Sequence, residues 1–123
     1  MGSPYSDPNN TVRREWPTIG CGGAAATQYA KFRTFQRMKL KQVHAYPTTA
    51  GGAGHKYDVY QGTTSVGTIA VGTTAAGGYV ASGALNLICP AGQDLHVLTG
   101  TDTVGVADIV YEYEVLHDSV QTA

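Results

Sequence analysis

Apolar and polar positions alternate with a period of two through most of the second half of the chain. The clearest run covers residues 107–116, where Ile109, Tyr111, Tyr113 and Val115 alternate with Val110, Glu112 and Glu114. Successive side chains of a strand point to opposite faces, so this run predicts a strand with one buried and one wet face. The same pattern recurs at residues 94–99, where Leu95 and Val97 share one face and His96 and Leu98 the other, and at Tyr57 and Val59 between Lys56, Asp58 and Tyr60. Val66, Ile69 and Val71 are the apolar members of a further strand, and shorter ones are predicted at 79–81 and 84–89. Gln61-Gly62-Thr63-Thr64, the Gly-rich stretch 72–78 and Pro90-Ala91-Gly92-Gln93 supply the turns, and residues 100–105 read as a loop.

Residues 27–45 form the longest segment free of Gly and Pro. Phe32, Phe35 and Met38 recur at spacing three, a helical hint. Met38 and Leu40 then alternate with Arg37, Lys39 and Lys41, and Val43 and Ala45 with Gln42 and His44. The apolar phase slips between Leu40 and Val43, which predicts a β-bulge or a change of buried face. The reading is a short strand or helical turn at 28–34 and a long strand at 35–46 ended by Pro47. Residues 1–26 hold neither period, are punctuated by Pro and Gly, and read as an extended arm. The predicted organisation is therefore an arm (1–26), an all-β jelly-roll or Greek-key sandwich of about eight strands (27–118) and a short tail (119–123).

Composition supports this picture. Gly, Ala and Thr number 16, 15 and 15 of 123 residues while Leu and Ile together number 10, a strand-and-turn balance around a light core. The length suits one domain. No apolar run of 18 residues occurs and the first 20 residues lack an apolar signal core, which points to a soluble chain without a membrane partner. Met1-Gly2-Ser3 fits either a native start or an added leader. Cys21 and Cys89 are separated by 67 intervening residues, too many for a CxxC motif. Cys89 follows Leu85 and Leu87 on one strand face and reads as a buried apolar residue rather than half of a bridge.

Charge changes the picture more. The net charge is −1, but all eight Lys and Arg lie before residue 57, so residues 1–56 carry 8 − 2 = +6 and residues 57–123 carry seven acids and no base. Arg37, Lys39 and Lys41 occupy one face of the predicted strand, and Glu112 and Glu114 one face of another. Three readings of the basic stripe stand: a solvated strand guarded against aggregation, a phosphate-tracking face, or a surface meeting an acidic face of a second copy. A pI near 6.4 and the lack of any recognised nucleic-acid motif argue against nucleic acid as a partner.

Catalytic signatures are missing from the sequence. There is no GxSxG elbow. Gly51-Gly52-Ala53-Gly54-His55-Lys56 lacks the Gly-Lys-Ser/Thr ending of a phosphate loop and leads into a strand instead of a helix. His44, His55, His96 and His117 are dispersed without zinc spacing, and Asp102 sits in a loop without alternating calcium ligands. Glu112 and Glu114 read as a solvated stripe rather than a glycosidase pair. Tyr57, Tyr111 and Tyr113 fall in phase with the core, leaving Tyr60 and Tyr79 to face solvent. No enzyme activity, metal, cofactor or small-molecule ligand is expected. Trp16, the single tryptophan, sits in the arm beside Arg13, Arg14 and Glu15 and near Ile19, and either packs on its own domain or docks on another subunit.

The runs Phe35-Gln36-Arg37-Met38-Lys39-Leu40-Lys41-Gln42-Val43-His44-Ala45, Thr48-Thr49-Ala50-Gly51 and Tyr57 to Ile69, then Ser82-Gly83-Ala84-Leu85-Asn86-Leu87, Ala91-Gly92-Gln93-Asp94-Leu95 and Val110-Tyr111-Glu112-Tyr113-Glu114-Val115, resemble jelly-roll cement (head decoration) proteins of tailed bacteriophages. The resemblance covers about 90 residues and rests on Gly/Thr turn patterns. It implies a non-enzymatic homotrimer on the outer surface of the virion head, soluble in the host cytoplasm before assembly, that bridges subunits of the major capsid protein. In that setting Arg13, Arg14, Trp16 and Ile19 form a capsid-binding arm, and Arg37, Lys39, Lys41, Glu112 and Glu114 supply oligomer or capsid charge contacts. The alternative function is a tail or fibre knob holding host glycan on Tyr60 and Tyr79.

Overall fold

The computed structural model describes residues 12–116. His117, the tail at 119–123 and the first 11 residues of the arm lie outside the described residues. The elements are β1 (Val12–Glu15), β2 (Cys21–Gly22), β3 (Gln28–Arg33), β4 (Met38–Thr49), β5 (Lys56–Gln61), β6 (Thr64–Ala70), β7 (Val80–Ala81), β8 (Leu87–Cys89), β9 (Asp94–Thr99) and β10 (Val106–Val115). They form two antiparallel sheets. The first runs β1-β10-β4-β7, with β2 also on β10 and β8 also on β4; the second runs β3-β9-β5-β6. Since β1 and β2 take turns along one edge of β10, and β7 and β8 along one edge of β4, each pair acts as one interrupted strand. Eight strand positions result, interleaved between two sheets in the jelly-roll order.

The strands form where alternation predicts them because only that phase buries the apolar set. Val43, Ala45, Ile109 and Tyr111 of the first sheet face Tyr57, Val59, Leu95 and Val97 of the second, all fully buried. Cys21 and Cys89 are buried and unbridged, and burial pushes the Cys21 thiol up to about 11, so it packs as a small apolar group. The predicted phase slip in β4 is a bulge. Glu112 pairs with Gln42 and Tyr113 with Leu40, leaving Lys41 as the extra residue.

Two boundaries differ from the sequence reading, and one alternative it left open is resolved. Pro47 does not end the long strand, which runs on to Thr49. It sits opposite Ala107 next to a second register shift, where a residue without an N–H does no harm to the ladder. Of the two readings left open for residues 28–34, the strand is the one that forms, as Gln28–Arg33, interrupted by a register shift between Tyr29 and Phe32. There Ala30 takes a φ of 55°, and its carbonyl accepts the buried Tyr111 hydroxyl at 2.7 Å. Finally, the sandwich does not begin at residue 27, because Val12–Glu15 and Cys21–Gly22 already pair with β10. All four side chains of β1 are exposed, so the strand leaves no apolar period to read.

Candidate docking surface

The outward face of the first sheet carries a polar cluster that is more enclosed than an outer face usually is. Glu112 projects from β10, with β1 and β4 on either side. Its carboxylate accepts from Arg14 Nη2 at 3.2 Å, from His44 Nε2 at 2.8 Å and from Gln42 Nε2 at 3.4 Å. A carboxylate only accepts, so Nε2 of His44 carries the proton, and in the neutral ring Nδ1 accepts the Tyr79 hydroxyl at 2.6 Å. Tyr79 also stacks on His44 and leans on Tyr46, with ring centroids 5.6 and 5.1 Å apart. The His44 hydrogen bond, aided by the Arg14 charge, holds the Glu112 carboxyl below its usual range against the opposing effect of burial.

This cluster changes the roles assigned to the charged candidates. Arg14 and Glu112 are engaged with each other inside one chain, and the register sets Lys39 directly opposite Glu114 in the same sheet. The basic and acidic stripes are therefore cross-strand neighbours within one subunit, and Glu112 is not a free charge for a second copy. Lys41 occupies the bulge, and Arg37 lies before β4 with its carbonyl taken by Leu116 N–H. Arg13 and Glu15 turn away from this face toward the gap between β1 and β3.

Of the four arm candidates, Trp16 and Ile19 keep their apolar surface in water, at 55% and 70% exposure. They lie in the five-residue link between β1 and β2, which Gly20 pins to β10 through Asp108. Eight large hydrophobic residues are exposed among the described residues: Val12, Trp16, Ile19, Phe35, Tyr46, Tyr79, Ile88 and Val104. Val12, Tyr46 and Ile88 belong to strands of the first sheet, Tyr79 packs on its outer face, and Trp16 and Ile19 run along its edge. None lies on a strand of the second sheet. That sheet's outer face is polar and internally paired, with Arg33–Asp94 at 2.9 Å, Lys56–Asp58 at 3.5 Å and Tyr60 stacked on His96. Tyr60 and Tyr79 thus stand on opposite sides of the sandwich and do not floor one groove.

At one end of the sandwich Asp102 ties a loop together by accepting N–H bonds from Gly52, Val104 and Gly105, which hold its carboxyl below the usual range. Beneath it the His55 ring is wedged against Gly51 and Gly105, where any Cβ would overlap it. Burial lowers the His55 pKa from its ordinary 6.5. Among the described residues no His, Cys, Asp and Glu side chains converge in a group of three or more.

The pH dependence of stability follows from these shifts. The unfolded chain protonates His55 and His96 near 6.5 while burial makes both resist in the folded chain, so stability is full above that value and declines as pH falls toward the folded pKa values. Glu112 and Asp102 act lower: their folded values are depressed, so their contribution is present above the ordinary carboxyl range and is lost as pH falls through the folded values. Urea midpoints measured from pH 8 to 3 are expected to fall in two stages, and Glu112→Gln to flatten the lower one only. A midpoint constant from pH 7 to 5 would contradict the lowered pKa of both His55 and His96.

No family model, curated protein or solved structure matches this chain.

Proposed function

We propose that this protein is a non-enzymatic virion structural protein, a cement or decoration protein that binds the outside of a phage head and bridges subunits of the major capsid protein. The observation that carries the reading is the asymmetry between the two sheets. One face and its edge hold six of the eight exposed large hydrophobics, and the other holds none on its strands. A sandwich seated on a shell needs one sticky side and one wet side, and this chain has both. Trp16 and Ile19 are the anchors, and Tyr46, Tyr79 and Ile88 extend the contact. Arg13 and Arg14 are left with a lesser role, because exposed charge pairs add only about 0–1 kcal/mol each in salt.

Bridging strengthens such a contact. A copy held at two shell subunits rebinds one at high effective concentration while the other holds, so modest contacts suffice. The sheet pairing of β1 helps as well. Each ordered backbone residue costs roughly 1–2 kcal/mol, and residues 12–22 already meet much of that cost on β10 before any partner arrives. Co-sedimentation of the purified chain with heads that lack it tests the reading. Saturable binding is expected; its absence, together with binding on a glycan array lost in Tyr79→Ala, would favour a receptor-binding knob.

A further inference from the structure

The outer face of the second sheet holds an open cleft of about 490 Å³ beside its β3 edge. Gln28, Lys31 and Arg33 reach it from β3, Asp94 and His96 from β9, and Thr63 from the turn between β5 and β6. Three of these side chains are basic and one is acidic. Arg33 takes up Asp94 at 2.9 Å, which leaves Lys31 without a counter-charge among the described residues. Its place beside His96 does nothing for stability: burial and then the Lys31 charge lower the His96 pKa from 6.5, against the pull of Asp94.

A bulge makes this arrangement. Tyr29 pairs with Val97 and Phe32 with Leu95, so Ala30 and Lys31 together face the single residue His96. Ala30 is buried in a left-handed conformation, φ 55°, that a glycine adopts more readily, and the Tyr111 hydroxyl holds it there from the core. A strained residue persists only where its surroundings over-determine it, and such residues gather at functional sites. On the outer face the bulge has one visible effect: it brings Lys31 out beside His96. From the other side the His96 ring lies flat against Tyr60, with centroids 5.1 Å apart and planes 5° apart.

We propose that this cleft binds a carboxylated saccharide, its carboxylate drawn to Lys31 and to a ring N–H of His96, its hydroxyls to Gln28, Thr63 and Asp94. The volume falls in the range of small-ligand sites. Amide, hydroxyl and carboxylate side chains together supply both the donors and the acceptors that sugar hydroxyls need, and a bare anion would leave most of them unused. A protein partner fits this face less well, because no exposed large hydrophobic residue lies on a strand of the second sheet. On a head covered through the first sheet this cleft would face outward and stay open, but the inference does not depend on that placement.

The full chain tests this without heads, so its failure and that of the shell-binding reading are separate results. In nuclear magnetic resonance titrations sialyllactose or tri-galacturonate is expected to bind saturably and to move the His96 ring signals. Lactose, galactotriose and inorganic phosphate should each bind at least about tenfold more weakly, the loss of one charge-assisted hydrogen bond. Lys31→Ala should weaken the acidic sugar by about the same factor, and so should His96→Phe, which keeps a ring against Tyr60 but removes the N–H. Lys56→Ala removes a charge at the other end of β5 from the cleft and should leave the affinity unchanged. Lys31 is exposed, so an unchanged urea midpoint will show that variant folded. No saturable binding of either acidic sugar, phosphate or a neutral sugar bound as tightly, or an affinity indifferent to Lys31→Ala would each overturn the proposal.

Discussion

Replacing Tyr57 by Phe is expected to lower stability by about 2–4 kcal/mol, although only one oxygen is removed. Tyr57 is fully buried, and its hydroxyl donates to Cys21 O at 2.6 Å while standing 3.0 Å from His55 Nε2. Because that proton points at Cys21, the oxygen is the acceptor for the His55 N–H. Nδ1 of His55 already has no hydrogen-bond partner. Without the hydroxyl, the ring is left with a buried donor unsatisfied, which costs about 1–3 kcal/mol, and the bond to Cys21 is lost at about 1 kcal/mol more. The damage should be local first. The Tyr57 hydroxyl bonds the carbonyl of Cys21, so amide exchange across Cys21–Gly22 should rise before the rest of the sandwich opens. With urea slopes of about 1–3 kcal/mol per molar for a small domain, the midpoint should drop by roughly 1–2 M. A midpoint equal to that of the unaltered chain would mean that the His55–Tyr57–Cys21 chain is not a structural tie.

The second large effect is on binding. Trp16→Ala with Ile19→Ala is expected to reduce the affinity for undecorated heads by about a thousandfold. An interface Trp that becomes fully desolvated contributes about 2 kcal/mol or more, and a buried Ile side chain about 1.5–3 kcal/mol, which together correspond to three decades. Both side chains are more than half exposed in the free chain, so the double variant should unfold at the same urea concentration as the original. Titration of labelled protein onto heads at fixed salt measures the change. Equal affinity would move the contact elsewhere on the first sheet, to Tyr46, Tyr79 and Ile88.

The parts of the fold that were legible in the sequence are those where burial alone dictates the side-chain phase. β10 alternates through ten residues because every second one enters the core, and the slip at Lys41 appeared as a broken phase because a bulge shifts the buried set by one. β1 was illegible for the opposite reason: it buries no side chain and is held by main-chain pairing, the Arg14–Glu112 ion pair and the Tyr113 hydroxyl donating to Glu15, none of which leaves a pattern. Ala30 hides its bulge because its left-handed conformation is imposed by a tertiary bond from Tyr111, 81 residues away, where a glycine would have signalled it.

The candidate surface divides along the same line. Trp16 and Ile19 could be picked out because an exposed apolar residue in an aperiodic segment is conspicuous. The neutralisation of Glu112 could not, since Arg14, Gln42 and His44 reach it from sequence distances of 98, 70 and 68 residues. Nor could the groove lined by Phe32, Met38, Tyr113 and Val115, which three separate strands assemble. The split of charge between the two halves of the chain thus changes meaning. In part it is resolved inside one subunit, where Arg14 pairs with Glu112 across the β1–β10 ladder and Arg33 with Asp94 across β3–β9, while Lys39 and Glu114 stand opposite each other in the β4–β10 register.

The central claim is that the first sheet seats on a phage head. A density map of the virion that carries this protein tests it most directly. The account predicts sandwiches on the outer surface of the head, with the β4–β10 face and the Trp16–Ile19 edge turned toward the capsid subunits and the β3-β9-β5-β6 face toward solvent. Density for the chain at the tail or fibres, or on the head with the second sheet against the shell, would contradict it.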